Sequence, residues 1–156
     1  MPEMRVILFS AATETQQSGG IELIETWRQQ TGSWIWVDIQ GVPDDAERRL
    51  LTEQFNIAKL AIQDAHRDRH PPKLEIFDDY LFIMLRDLIV AYEDSEPEVA
   101  DLALFVGKNF FVSRHHADIP SLNKVHEKVG ARKSLMRAGP ARLTYMISRQ
   151  IVDAYT

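Results

Sequence analysis

The alternation of apolar and polar positions predicts strands and helices in turn along the chain. Apolar, β-branched and aromatic runs of strand length occupy residues 5–11, 34–39, 74–77, 80–91, 99–106 and 110–114. Apolar residues at helical spacing occupy residues 21–30, 43–55, 119–129 and 140–156, and a short segment with Leu60, Ile62 and Ala65 as its inner face. The polar stretch 13–20 ends in two glycines, and we predict a loop there.

Several helix and strand boundaries are marked by residues with known end preferences. Pro43 suits the first turn of a helix because its missing N–H would have no partner there, and Asp44–Asp45 suit the positive end of the helix dipole. Asn56 ends this helix, and Pro71–Pro72 stops the next one. The turn at 107–109 predicts a hairpin. The element order predicts an α/β domain with a mixed parallel and antiparallel β-sheet sandwiched between helices on both faces.

Length and composition narrow the class of protein. The 156 residues suffice for one domain, and 45% hydrophobic with 26% charged residues is ordinary globular composition. The absence of cysteine excludes disulfides, thiolate metal sites and cysteine nucleophiles. The sequence contains no run of about 18 apolar residues and does not begin like a signal peptide. We therefore expect a soluble intracellular molecule.

The charges are distributed unevenly along the chain, whose net charge is −5. Residues 1–107 carry 9 basic and 20 acidic side chains, whereas residues 108–156 carry 9 basic and 3 acidic ones. The acidic part could concentrate divalent cations, and the basic part could face phosphate, lipid headgroups or an acidic subunit. The simpler interpretation is a solvated surface whose two parts attract each other after folding.

Candidate chemistry among the histidines is weak. His66 and His70 have the four-residue spacing of a helical zinc pair, but Pro71 follows directly and a third ligand is lacking. His115 and His116 are adjacent on a strand, so their side chains must point to opposite faces. All histidines lie in charged stretches that we predict to be exposed. No nucleophile elbow or glycine-rich nucleotide motif occurs, so we expect no enzyme activity.

Four separated tracts resemble the cytoplasmic domain of CorA-type magnesium and cobalt transporters. The most specific tract includes Leu60, Gln63–Asp64, the Pro-Lys-Leu-Glu string at 72–75 and the strand entry 77–83. The other three tracts are residues 34–41, 102–112 and 139–155. The similarity extends over residues 33–156 in the family's order. Two residues depart from the family pattern, because Gln63 replaces a glutamate and Pro71 replaces an arginine.

The resemblance implies a single cytoplasmic regulatory domain over residues 1–156, ending before the stalk and membrane helices. We expect this because the final helical pattern reaches Thr156 without a closing residue. The family assembles as a homopentamer in which Mg²⁺ bound between subunits holds the channel closed. Asp64 is the matching metal ligand, with weak binding expected here because the partner acid would lie on the stalk.

The sequence leaves the transported ion and the class of function open, and it indicates how isolated chains should associate. Co²⁺ and Zn²⁺ are alternatives to Mg²⁺, because a zinc-transporting branch shares the architecture. Isolated chains should associate weakly, since the family's subunit contacts depend on the stalk and membrane helices. A nucleic-acid-binding module that uses the basic stretch 126–137 is the alternative from a different class, although we expect no nucleic-acid partner.

Overall fold

A mixed β-sheet forms the centre of the computed structural model, which describes residues 1–89 and 96–154. Within these residues its strands are β1 Glu3–Ser10, β2 Thr15–Gly19, β3 Ser33–Gln40, β4 Lys73–Ile76, β5 Tyr80–Ile89, β6 Glu98–Gly107 and β7 Phe110–His115. Their spatial order is β2-β1-β3-β7-β6-β5-β4. Strands β3 and β7 pair in parallel, and the other neighbouring strands pair antiparallel.

Helices cover both faces of this sheet. The described helices are α1 Glu22–Gln29, α2 Asp45–Phe55, α3 Lys59–His66, α4 Pro120–Ala131, a 3₁₀ segment Lys133–Ala138 and α5 Pro140–Asp153. Helices α1 to α3 pack over one apolar core, and α4, the 3₁₀ segment and α5 pack over a second one. The predicted fold class is therefore confirmed. None of the described helices has the length and apolar character needed to cross a membrane.

Strand β3 supplies both cores because its side chains alternate between the two faces. Ile35, Val37 and Ile39 enter the core below α1 to α3, while Trp34 and Trp36 enter the other. This burial on both faces explains why the strand appears in the sequence as a nearly continuous apolar run. Both tryptophans are therefore packing residues of the core.

Helix α2 ends at Phe55 as predicted, but it begins at Asp45, so Pro43 lies outside the helix, ahead of the N-cap residue Asp44. The side chain of Asp44 accepts a hydrogen bond from the backbone N–H of Glu47 at 2.9 Å, as an N-cap residue does. Asn56 adopts the left-handed conformation with φ 53° at the other end. Asparagine is one of the few residues that tolerate this conformation, so it ends the helix.

Two further sequence-based predictions about local structure fail, and one element was missed. Residues 13–20 were predicted as a loop, but Thr15–Gly19 pairs with β1 as an edge strand. The side chains of this strand are polar and mostly exposed, so its sequence lacks the alternation of apolar and polar residues that indicates a strand. Its extended structure depends on pairing with β1. Leu60 was predicted to face the core, yet it is 73% exposed because Ala61, with Ile62 and Ala65, occupies the buried face. The 3₁₀ segment was not predicted.

The acidic segment 92–98 is predicted from its sequence to be a surface turn, but most of it cannot be compared with the structure, because residues 90–95 lie outside the described part of the chain. The same holds for the end of the strand predicted at 80–91. The hairpin of β6 and β7 forms around residues 108–109 as predicted.

Gly107 and Gly130 provide a matched pair of stability tests. A Cβ at Gly107 would lie closer than 3.0 Å to ring atoms of the buried Phe110, whereas a Cβ at Gly130 in α4 would meet no atom within 4 Å. We expect Gly107→Ala to destabilise the fold by about 1–3 kcal/mol through overpacking. Gly130→Ala should stabilise it by about 0.5–1 kcal/mol. Urea unfolding measures both, and equal midpoints for the two variants would contradict this account.

Candidate functional site

Asp64 lies in the last turn of α3 and is surrounded by positively charged groups. Its Oδ2 accepts a hydrogen bond from Lys73 Nζ at 2.5 Å, and Lys73 stands at the start of β4. Arg67 Nη1 and His70 Nε2 lie 3.7 Å and 3.6 Å from the other carboxylate oxygen, Oδ1. Lys73 also forms an ion pair with Glu75. The turn between α3 and β4 thus brings a lysine of the matched tract onto the predicted metal ligand.

Both partners of this ion pair are held in their charged forms. The hydrogen bond from Lys73 is the largest influence on the pKa of Asp64 and lowers it, against the opposing effect of partial burial. The hydrogen bonds to Asp64 and then Glu75 raise the pKa of Lys73. The Asp64 side chain is 19% exposed, so solvent reaches it. Asp64 is therefore an ionised and accessible carboxylate that already has a counter-ion.

The residues of this chain alone do not fit a bound cation at Asp64. A carboxylate oxygen is a ligand that Mg²⁺ prefers. However, the described part of the chain contains no cluster of three His, Cys, Asp or Glu side chains able to hold a metal. A cation at Asp64 would also meet Lys73 and Arg67. Gln63 is exposed and lines a separate groove between α2 and α3, so it does not contact this ion pair.

The two histidine pairs noted in the sequence do not form metal sites. Helix α3 ends at His66, whose Nε2 lies 2.6 Å from Glu47, whereas His70 lies beyond the helix beside Asp64. His66 and His70 therefore contact different carboxylates. His115 and His116 point to opposite faces as predicted, since their Nε2 atoms approach Asp38 and Asp68 respectively.

A buried ion pair joins the sheet to helix α2. Arg114 in β7 donates from Nη2 and Nε to the two carboxylate oxygens of Glu47, at 2.9 Å and 3.0 Å, and both side chains are fully buried. His66 contacts the same carboxylate from α3. Arg114 also donates to the backbone carbonyl of His115 at 2.7 Å. This arrangement fixes two helices to the central strand β7.

A second buried network lies on the opposite face of the sheet, around Asp38 in β3. Its Oδ1 accepts a hydrogen bond from Ser113 at 2.6 Å and lies 2.8 Å from His115 Nε2, while its Oδ2 accepts from Arg5 Nη2 at 2.8 Å. His126 of α4 stacks on the buried indole of Trp36, and its Nε2 lies 3.7 Å from Asp38. That distance permits an electrostatic contact but is longer than a hydrogen bond.

Burial and charge oppose each other in setting the pKa values of this network. Burial works to raise the pKa of Asp38, but the interactions with His115 and His126 outweigh it and hold that pKa far below its ordinary value. Burial lowers the pKa of His126, and the attraction of Asp38 compensates only in part. The stable arrangement is therefore an ionised Asp38 beside a neutral His126.

The prediction that all histidines are exposed is wrong. His115 is 1% exposed, and the side chains of His66 and His126 are 7% and 13% exposed. Sequence reasoning missed both networks because their members are far apart in the chain, as with Asp38 and His115, which are 77 positions apart. The sequence nevertheless contains one indication of these networks. Asp38 and Arg114 lie inside strongly apolar strands, and a charged side chain that is buried there needs polar or charged partners.

The same fold occurs in several solved structures. The full-length CmaX protein has a TM-score of 0.77 at 14% identity, covering 97% of this chain and 45% of that one. The soluble domain of CorA from Methanocaldococcus jannaschii has a TM-score of 0.72 at 17% identity, covering 99% and 58%. The ZntB cytoplasmic domain from Vibrio parahaemolyticus has a TM-score of 0.69 at 15% identity, covering 97% and 60%. At these identities the likeness establishes the fold.

Sequence comparison places the chain within one family. The model for the CorA-like Mg²⁺ transporter protein matches residues 31–156, and the chain belongs to that family. YfjQ of Bacillus subtilis, whose name describes a metal ion transporter, is 34% identical over 85% of this chain. The cobalt/magnesium transport protein CorA of Thermotoga maritima is 25% identical over 77% of it. The chain covers 40% and 34% of these two relatives. The expectation of a transporter domain instead of an enzyme agrees with this membership.

The buried pair of Glu47 and Arg114 should dominate the stability of this face. Glu47→Gln leaves a buried guanidinium without a counter-charge and should cost about 3–5 kcal/mol in the free energy of unfolding. Asp45→Asn breaks only the exposed contact with Arg48, so it should cost less than about 1 kcal/mol. Urea denaturation provides the measurement. If Glu47→Gln does not fold, Glu47→Gln with Arg114→Met should recover folding. Equal effects of Glu47→Gln and Asp45→Asn would contradict the assignment.

Stability should fall as the pH decreases below about 6.5, the ordinary pKa of histidine. The folded-state pKa of His126 is lowered, so the unfolded chain binds the proton more readily and acid favours unfolding. The groups that face His126 are Asp38, Arg5 and His115. His126→Phe, which can keep the stack on Trp36, should reduce the loss of stability between about pH 7.5 and 5.5. Urea midpoints at both pH values test this, and an unchanged slope would refute it.

Proposed function

We propose that this chain is the cation-sensing, gating domain of a CorA-like divalent cation transporter that carries Mg²⁺ or Co²⁺. The observation that carries the proposal is the family match over residues 31–156. The names of the two curated relatives, which describe metal ion and cobalt/magnesium transport, support it. In the full-length protein the domain would lie on the cytoplasmic face of the cell membrane within a homopentamer. The assembly and the location follow from the family resemblance.

Asp64 is the residue of this chain that we propose as a regulatory metal ligand. Its carboxylate is ionised, partly exposed and chemically suited to a hard divalent cation. Lys73 would hold this carboxylate when the cation concentration is low, and it would have to move away for binding. The positive groups around Asp64 imply that a second carboxylate from a neighbouring subunit is needed. Binding to an isolated chain should therefore be weak.

A zinc-transporting relative is the second candidate, because one contact favours it. His70 Nε2 lies 3.6 Å from Asp64 Oδ1, and an imidazole with a carboxylate is a ligand combination that zinc accepts. The fold likeness to the ZntB domain is compatible with this alternative. Zinc stabilisation that is lost in His70→Asn, with no response to Mg²⁺, would favour it over the magnesium proposal.

The nucleic-acid alternative is not adopted. Two residues of its basic stretch, Val129 and Met136, are buried in the core below α4 and α5. The stretch therefore serves packing as well as surface charge. The family membership also favours a transporter over a nucleic-acid-binding module.

Removing the counter-ion should expose the cation affinity of Asp64. In Lys73→Gln we expect about 20 mM Mg²⁺ to raise the thermal midpoint by about 1–3 °C, and we expect a smaller rise in the parent chain. Asp64→Asn, alone or combined with Lys73→Gln, should show no rise. NaCl at matched ionic strength controls for screening. A response in the double variant equal to that in Lys73→Gln would remove Asp64 from the proposal.

A further inference from the structure

A basic groove lies on the outer surface of the second helix layer. Residues of α4, the 3₁₀ segment and α5 enclose a space of about 460 Å³. Among the residues that line it are Lys128, Arg132, Arg142 and Arg149, and none of the described lining residues carries a carboxylate. We define these four cations and Tyr145, which also lines the space, as the basic groove. It lies on the opposite face of the sheet from α3 and Asp64.

Helix packing brings the four cations together. Val125 and Val129 of α4 and Ile147 of α5 share one core, so the outward residues of both helices flank the same groove. Lys128 on α4 donates a hydrogen bond to Gln150 on α5 at 2.9 Å, which joins the two helices at the surface. The groove is thus formed by regular elements that the core holds in place.

The positive charge of the groove is poorly compensated by the described residues. Arg149 is paired with Asp153 at 3.2 Å. Among the residues that the structure describes, Lys128, Arg132 and Arg142 have no carboxylate within ion-pair distance. Like charges held together repel one another, and an anion bound among them would relieve that repulsion.

The groove also offers an aromatic and apolar surface. Tyr145 is 52% exposed, and Arg142 lies over its ring at 5.0 Å from the centroid. Leu135 and Met146 line the same space as half-buried side chains. A volume of this order is typical of small-molecule sites, whereas a flat membrane surface would not fill a concave groove. A ligand that matches both parts carries phosphate groups and a planar ring.

We propose that the basic groove binds a nucleotide, with its phosphates among Arg132, Arg142 and Lys128 and its base against Tyr145. Arginine suits phosphate because its planar guanidinium donates two parallel hydrogen bonds. An exposed aromatic ring suits a base because stacking requires no sequence-specific contact. The site differs from glycine-rich nucleotide loops, since side chains instead of backbone N–H groups supply the positive charge.

The test is thermal unfolding of the chain with ATP in a buffer that contains EDTA, so that divalent cations and Asp64 play no part. We expect about 5 mM ATP to raise the midpoint by about 2–4 °C. The shift should disappear in Arg132→Glu/Arg142→Glu. The matched control is Arg49→Glu/Lys59→Glu, which changes the same net charge at exposed positions on the opposite helix layer and should keep the shift.

Three further probes identify the ligand chemistry. Inorganic triphosphate should produce a smaller shift than ATP, and adenosine should produce none, because the phosphates supply most of the binding. Equal shifts with triphosphate and ATP would overturn the nucleotide assignment. So would binding to phosphatidylglycerol vesicles without any response to ATP, which would indicate a membrane surface. The same ATP shift in both charge-reversal variants would overturn the location.

Discussion

The structure depends on compensating two charges that are buried in its central strands. Asp38 on β3 and Arg114 on β7 point to opposite faces of the sheet, and neither reaches solvent. A buried charge without partners costs several kcal/mol, so each must be met by polar or charged groups packed against it. Glu47 of α2 meets Arg114, while Arg5 and His115 meet Asp38. The contact between Glu47 and Arg114 positions α2 on the sheet, whereas Arg5 and His115 reach Asp38 from the two neighbouring strands.

Helix α3 connects the buried ion pair of Glu47 and Arg114 to the candidate cation site at Asp64. His66, the last residue of α3, contacts the carboxylate that neutralises Arg114, and Asp64 stands two positions earlier. The end of α3 is therefore held on one side by a buried ion pair and on the other by Lys73. The two contacts therefore tie the end of this short helix both to the buried core and to β4.

The two helix layers give the domain two surfaces with different chemistry. The layer of α1 to α3 carries Asp64 at the edge of the sheet, and the layer of α4 and α5 carries the basic groove. Because the sheet and both cores lie between them, ligands at the two surfaces would not compete for the same atoms. This chain spans well under half the length of its two curated relatives.

The sequence by itself determined the features that depend on neighbouring residues. Asp44 and Asn56 mark the ends of α2, and the tract around Asp64 identifies the family because its residues are contiguous. Only the tertiary structure decided the partners of Arg114, the pairing of polar β2 and the position of Lys73 on Asp64. Local sequence patterns report propensity and periodicity. The partners of a buried charge and the pairing of a polar edge strand depend instead on residues that are distant in the sequence and that the fold brings into contact.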